Sequence, residues 1–381
     1  MARSNVLRRR AALLAVTAVG IGSVFFLIQH FSKRSSEQLT RDIVLLASGS
    51  APPVTIEKLR AAGPYATFEA LTALMDTIVD KPSREWPFSP QDALKALIKL
   101  HGAKSAEAAE VFLSPLKHKN PKIRAWALYA ISRCCRKRTG AGPVSSEVLS
   151  AIVTAMGDED ARVRDEACDC FVDVHPDWQR GLISCLQHPM PLVRCTAIEA
   201  LGGRGSAEDR VGRFPDALLP MLDDPDERVR TRAAISLARL GRPSDRVLGL
   251  LRNAIKGAAP DLRTSACSAV GEMGKAAAAA IPDLVACLTD ENVATRRCAA
   301  SSLADIDPAT AASSEAACAI LIKAVEEGGM PAVFAAQSLG KLGPAAPDSV
   351  VSVLERATTS NHVFVRSEAK SALEKIRGKK R

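Results

Sequence analysis

Ten cysteines and six histidines are the residues of this 381-residue chain best able to ligate a metal, form disulfides or act as nucleophile and base. Their tightest grouping is Cys168-x-Cys170 with His175. Side chains two apart on a helix point in different directions. No Cys-x-x-Cys pair follows to complete a zinc site, so the spacing argues against a metal. Cys134 and Cys135 are adjacent, which suits packing better than redox chemistry. His30, His101, His118, His175, His188 and His362 are scattered, mostly in turns, and none has a nucleophile at motif spacing. There is no G-x-x-x-x-G-K-[ST], H-E-x-x-H or G-x-S-x-G. Gly202-Gly-Arg-Gly205 and Gly140-Ala-Gly142 read as loops rather than phosphate cradles. The expectation is therefore no catalytic residue, no cofactor and no metal.

What does recur is an arginine. The phrase Val229-Arg230, small residues, then Leu237-Ala-Arg-Leu240-Gly241 returns as Val193-Arg194 to Gly202 and as Leu262-Arg263 to Gly274. Weaker copies begin at Ile123-Arg124, Val163-Arg164, Thr295-Arg296 and Val365-Arg366. The arginine slots are 124, 164, 194, 230, 263, 296, 332 and 366, with Ala332 in the seventh, and Pro90–Leu100 supplies an earlier copy without arginine. Nine units are visible. Within each, apolar residues fall three and four apart, the helical period. A turn rich in Asp, Asn and Pro precedes each arginine, as in Asp223-Asp-Pro-Asp226 and Asp290-Glu-Asn292, and stops one helix while capping the next. A second helix lies before the turn, with Pro215, Pro282 and Pro347 near its start, where a missing N–H costs least. With 4% aromatic residues the core is built from Ala, Leu, Val and Ile, which suits close helix packing. The fold class expected is all-α: an α-solenoid of about nine helix-turn-helix units over residues 90–381. Aligned this way, Cys168 and Cys267 fall in the slot of Ala234, and Cys185 and Cys287 in that of Met221, both facing the core.

This pattern resembles the HEAT repeats, in particular the bacterial HEAT-like repeats of phycobilisome lyases, through the Asp/Asn-Pro turn, the Val-Arg after it and the closing Leu-Gly. The resemblance implies a ladder of turn acids and helix arginines along a concave surface. It would contain Arg124, Arg164, Arg194, Arg230, Arg263, Arg296 and Arg366 and be interrupted at Ala332. Structural bridging between repeats is the role expected of these arginines, ahead of ligand contact.

Ahead of the repeats, a basic flank (1–10) precedes residues 11–28, eighteen without a charge, closed by Lys33-Arg34. As a helix they would span about 27 Å, near the thickness of a bilayer. No small-residue pair follows at cleavage spacing, so residues 11–29 are expected to be an uncleaved single-pass anchor. The basic flank leans towards an exported body at a bacterial inner membrane, whereas ten thiols lean towards a reducing compartment. Residues 30–54 read as a linker, and 55–89 as degenerate capping helices in which Phe68, Leu71, Leu74, Met75 and Ile78 keep helical spacing.

The net charge of +9 suggests nucleic acid until it is located. Residues 1–41 carry +6 and the last five residues +4, so the body is close to neutral and nucleic acid is disfavoured. The function expected is a membrane-anchored protein–protein interaction scaffold without catalysis, its protein or peptide ligand unnamed. The alternative, carried only by the resemblance, is a bilin lyase or lyase-like chaperone.

Overall fold

The computed structural model describes residues 38–78, 90–102, 109–135, 144–202 and 214–378; the apolar segment 11–29 lies outside them. Among the described residues all regular structure is helical, and no helix is long and apolar enough to cross a membrane. The chain forms two compact units, divided after Trp178.

In the first unit, residues 38–47 are helical and Ile43 is fully buried, which corrects the expectation of a linker over 30–54. Ile43 and Leu46 are three apart, on one side of this helix, and the Ser-Gly-Pro break begins only at Ser48. Helix α1 (Pro53–Ile78) is broken at Gly63, whose φ of 81° and ψ of 169° suit glycine, ahead of Pro64. It packs on α2 (Pro90–His101), and Phe68 meets Phe112 tilted and Phe112 meets Trp126 edge-on, with ring centroids 5.5 and 5.6 Å apart. Two 3₁₀ turns, Ala109–Leu113 and Pro115–Lys117, then stand as first helix to α3 (Pro121–Cys135). Next comes the pair α4 (Ser146–Ala155) and α5 (Ala161–Val174), with α3 and α5 side by side.

The second unit continues the alternation. Its first helices are α6 (Trp178–Cys185), α8 (Pro215–Leu218) with the 3₁₀ turn Leu219–Asp223, α10 (Asp245–Gly257), α12 (Ile281–Cys287) after the 3₁₀ segment Gly274–Ala280, α15 (Glu315–Glu327) and α17 (Asp348–Ala357). Its second helices, which carry the arginine slot, are α7 (Pro191–Leu201), α9 (Glu227–Arg239), α11 (Pro260–Glu272), α13 (Val293–Ile306), α16 (Gly329–Lys341) and α18 (Val363–Ile376), with α14 (Pro308–Ser313) a short connection. The second helices pack one on the next from α7 to α18.

Three features of the repeat explain this layer. The residue three places after the slot is alanine in all eight units from Ala127 to Ala369, each at most 4% exposed, so neighbouring backbones approach closely. The residue seven places after it is large and apolar, as in Ile131, Leu237 and Leu339, and fills the space towards the first helices. The turn Asp and Asn side chains cap: Asp160 accepts from Arg162 N, Asp226 from Arg228 N and Val229 N, and Asn292 from Ala294 N and Thr295 N.

Candidate binding surface

Each arginine closes its own turn first. Arg124 Nη1 donates to the carbonyls of His118 and Lys119, Arg194 Nη1 to His188 and Pro189, Arg230 Nη1 to Asp224 and Pro225, and Arg296 Nη1 to Asp290 and Glu291. Arg164 and Arg366 do the same at Asp158 and Ser360. These are carbonyls of the turn that follows the first helix, outside the ladder of either helix. The guanidinium satisfies them with charge-assisted bonds and ties the second helix to the turn before it.

The remaining edge of the guanidinium behaves differently in alternate repeats. Arg124 Nε and Nη2 each donate at 2.7 Å to Asp158, and Arg194 Nε and Nη2 donate at 2.8 and 2.7 Å to Asp224. Arg263 Nε approaches Asp290 to 2.8 Å. The acid is the first residue of the next turn, and its Oδ1 also accepts the N–H two residues on, in Asp160, Asp226 and Asn292. Arg230 and Arg296 have no such partner, because the matching residues are Gly257 and Glu326, the latter paired with Arg356 at 2.9 Å. Arg124 and Arg194 are only 8% exposed, and their hydrogen bonds to Asp158 and Asp224 raise their affinity for the proton. A group held this way is structural rather than available to a ligand.

The array is thus a series of doublets. Arg124, Arg194, Arg263 and Ala332 open them, 70, 69 and 69 residues apart. Within a doublet the closing glycine of the first member meets the second helix of the next: a Cβ on Gly202 would lie 2.6 Å from Ser236 Cβ, on Gly271 2.8 Å from Ser302 Cβ, and on Gly340 2.9 Å from Ala372 Cα. Ala332 occupies the slot where arginine is missing. It is fully buried in a small apolar cluster with Val333 and Val365.

The second-helix face turned from the core changes character along the second unit. Over α7–α11 it is polar and its charges are paired: Arg232 lies 2.6 Å from Glu199 and 3.6 Å from Asp261, and Arg239 lies 3.5 Å from Glu272. Near the starts of α16 and α18 large apolar side chains join it. Met330 and Phe334, one turn apart on α16, are 52% and 58% exposed, and Val363 and Phe364, at the start of α18, are 63% and 65% exposed. On the first-helix layer an open groove of about 700 Å³ runs past Cys318, Ile322, Lys323 and Pro347. On α18 Ser367 and Lys370 are exposed.

Eight cysteines are buried, including Cys267, Cys185 and Cys287 in the slots expected to face the core. Cys168 departs from that expectation, being half-buried beside the fully buried Cys170. Desolvation raises the Cys135 and Cys195 thiols to about 11. No group of three His, Cys, Asp or Glu side chains is arranged to hold a metal among the described residues. Three histidines instead finish turns: Nδ1 of His118, His175 and His188 accepts the N–H two residues on.

The family profile described as HEAT repeats matches residues 149–238, 179–266, 215–280 and 247–333. Residues 149–333 are HEAT repeats. No curated protein matches the chain. Solved structures similar to it include a crystal structure of a Kap121p mutant, at 16% identity and a TM-score of 0.47, covering 88% of this chain and 41% of that one. Another is the karyopherin Kap121p bound to the SUMO protease Ulp1p, at 14% identity and a TM-score of 0.39, covering 89% and 41%. The chain spans about two fifths of the length of these structures.

Proposed function

We propose that this HEAT array is a protein–protein interaction scaffold, tethered to a membrane through residues 11–29, which binds rather than catalyses. The observation that carries the reading is the exposed cluster of Met330, Phe334, Val363 and Phe364 on neighbouring second helices. Four large, strongly exposed apolar side chains on two neighbouring second helices mark a surface that another protein covers. In this reading the seven arginines hold the turns and repeats in place, and the HEAT register runs from residue 90 to 381. The apolar stretch and its basic flanks support the tether, with the body leaning exported.

The test places a photo-crosslinking benzoylphenylalanine at position 364 of the full chain in its native membrane. Discrete protein adducts are expected. They should be lost when Phe334→Ser and Met330→Ser are added, at unchanged helicity and melting temperature. Absence of adducts, or identical adducts after the substitutions, would sink the scaffold reading. Protease treatment of intact cells and of spheroplasts tests the exported orientation independently, since an exported body is cleaved in spheroplasts, where the outer barrier is opened, and a cytoplasmic one in neither.

A further inference from the structure

Along the second unit the contacts between neighbouring repeats alternate in kind. Three interfaces join α7 to α9, α11 to α13 and α16 to α18. At each, a glycine near the end of one second helix closely approaches the next, Gly202 at Ser236, Gly271 at Ser302 and Gly340 at Ala372. Two of the three also hold a buried ion pair, Arg194 with Asp224 at side-chain exposures of 10% and 5%, and Arg263 with Asp290 at 17% and 11%. The third has Ala332 packed with Val333 and Val365 instead. In the first-helix layer the buried Asp283 of α12 takes Arg252 and Lys256 of α10 at 2.5 and 3.3 Å. Close backbones and desolvated pairs resist separation, since parting them opens a void or strands a buried charge.

The interfaces between these, α9 with α11 and α13 with α16, are fastened differently. At the first, Arg232 reaches Asp261 at 3.6 Å, Arg239 reaches Glu272 at 3.5 Å, and Arg246 pairs with Asp223. At the second, Arg297 pairs with Glu327 and Lys341 with Asp305, beside a Ser301–Ser338 hydroxyl contact of 2.6 Å. Each of these five ion pairs has a side chain 42% or more exposed. Pairs of that kind contribute little singly and weaken as salt is added. Among the described residues no close glycine approach crosses either interface. The missing acids explain the difference: Gly257 stands where Asp224 and Asp290 stand in sister turns, and Glu326 pairs with Arg356 instead.

We infer that the second unit is jointed: three rigid two-repeat bodies, α7 with α9, α11 with α13 and α16 with α18, hinge at α9/α11 and α13/α16, where exposed ion pairs form a salt-sensitive fastening. Openings of this kind occur where the fewest buried interactions must be broken. Met330, Phe334, Val363 and Phe364 all belong to the last body, so the apolar cluster keeps its shape while the array bends beside it. The joints do not depend on what covers that cluster, so this inference and the scaffold reading fail separately.

The test reads distances by pulsed electron resonance on the full chain in detergent. A keto amino acid coupled to a hydroxylamine nitroxide marks exposed positions and spares the ten cysteines. Leu219 and Asn253 lie on either side of the α9/α11 joint, whereas Asn253 and Val285 lie in one body, and all three are exposed. The distance distribution for positions 219 and 253 should be about twofold broader than that for 253 and 285, and should widen further from about 0.02 to 0.5 M salt while the other holds. Gly257→Asp gives Arg230 the carboxylate that its sisters have, at a position where a Cβ meets nothing within 4 Å, and should narrow the first distribution to the width of the second. Equal widths for the two pairs, or equal widening of both with salt, overturns the joint, and the unsubstituted chain alone decides this. An unchanged width in a folded Gly257→Asp chain overturns the role given to the missing carboxylate.

Discussion

Gly271 and Ser302 bring α11 and α13 so close that a methyl group on the glycine would stand 2.5 Å from the serine hydroxyl and 3.0 Å from its Cα. The hydroxyl in turn donates at 2.8 Å to the Cys267 carbonyl, so it cannot swing away without losing a buried bond. Gly271→Ala should therefore destabilise the second unit by about 1–3 kcal/mol, the usual cost of overpacking. Gly257→Ala, where nothing stands within 4 Å, should be neutral or mildly stabilising. Urea unfolding of the two variants decides it, and equal midpoints would show that the close approach is not maintained.

Arg194 and Asp224 are buried together, at 8% and 7% exposure. Arg194→Ala strands a buried carboxylate and opens two turn carbonyls, and is expected to cost roughly 3–5 kcal/mol. Arg194→Ala with Asp224→Ala should cost less than the sum of the single changes, because neither charge is then left alone. Arg230→Ala, with no carboxylate in its fork, should cost distinctly less than Arg194→Ala. Comparable losses at the two sites would refute the doublet reading.

Glu166 is lifted from 4.5 to about 7 by desolvation first and then by Asp169 and Asp173 on the same helix. A carboxyl bound to its proton more tightly in the folded than in the unfolded chain favours folding at low pH. That contribution is full below about 4.5, falls as pH rises towards 7, and is gone above it. Glu166→Gln should flatten this part of the stability profile and raise the melting temperature at pH 8 relative to the unsubstituted chain. A parallel pair of profiles from pH 5 to 8 would rule the assignment out.

Of ten thiols, only Cys168 and Cys298 are half-buried, and the other eight are buried. Burial keeps thiols protonated and out of reach, as with Cys170, raised well above its ordinary value. Titration with a disulfide reagent at pH 8 should find at most these two in the native chain and all ten after denaturation. Rapid reaction of Cys267, fully buried in the second-helix layer, would contradict the packing described.

The alternation of Leu and Ala at three and four, the acid-and-proline turns and the arginine eight times expected or replaced are local features, and each dictates local structure. They specified the helices, the capped turns and the slot at Ala332 from the chain alone, because helix period and capping depend on residues within a few positions of one another. They did not disclose the helix at 38–47, where a short apolar run was overshadowed by the Ser-Gly-Pro break after it, nor the half-exposure of Cys168, since a repeat slot sets the direction of a side chain and not what covers it. Nor did they separate Arg194 from Arg230, whose own neighbourhoods read alike. Whether a guanidinium fork closes on an acid depends on the residue that begins the following turn, 30 positions on at Asp224 for Arg194 and 27 on at Gly257 for Arg230. Only the packing of one second helix on the next brings those positions together. The same packing leaves Met330, Phe334, Val363 and Phe364 outside the core, although each would have suited it.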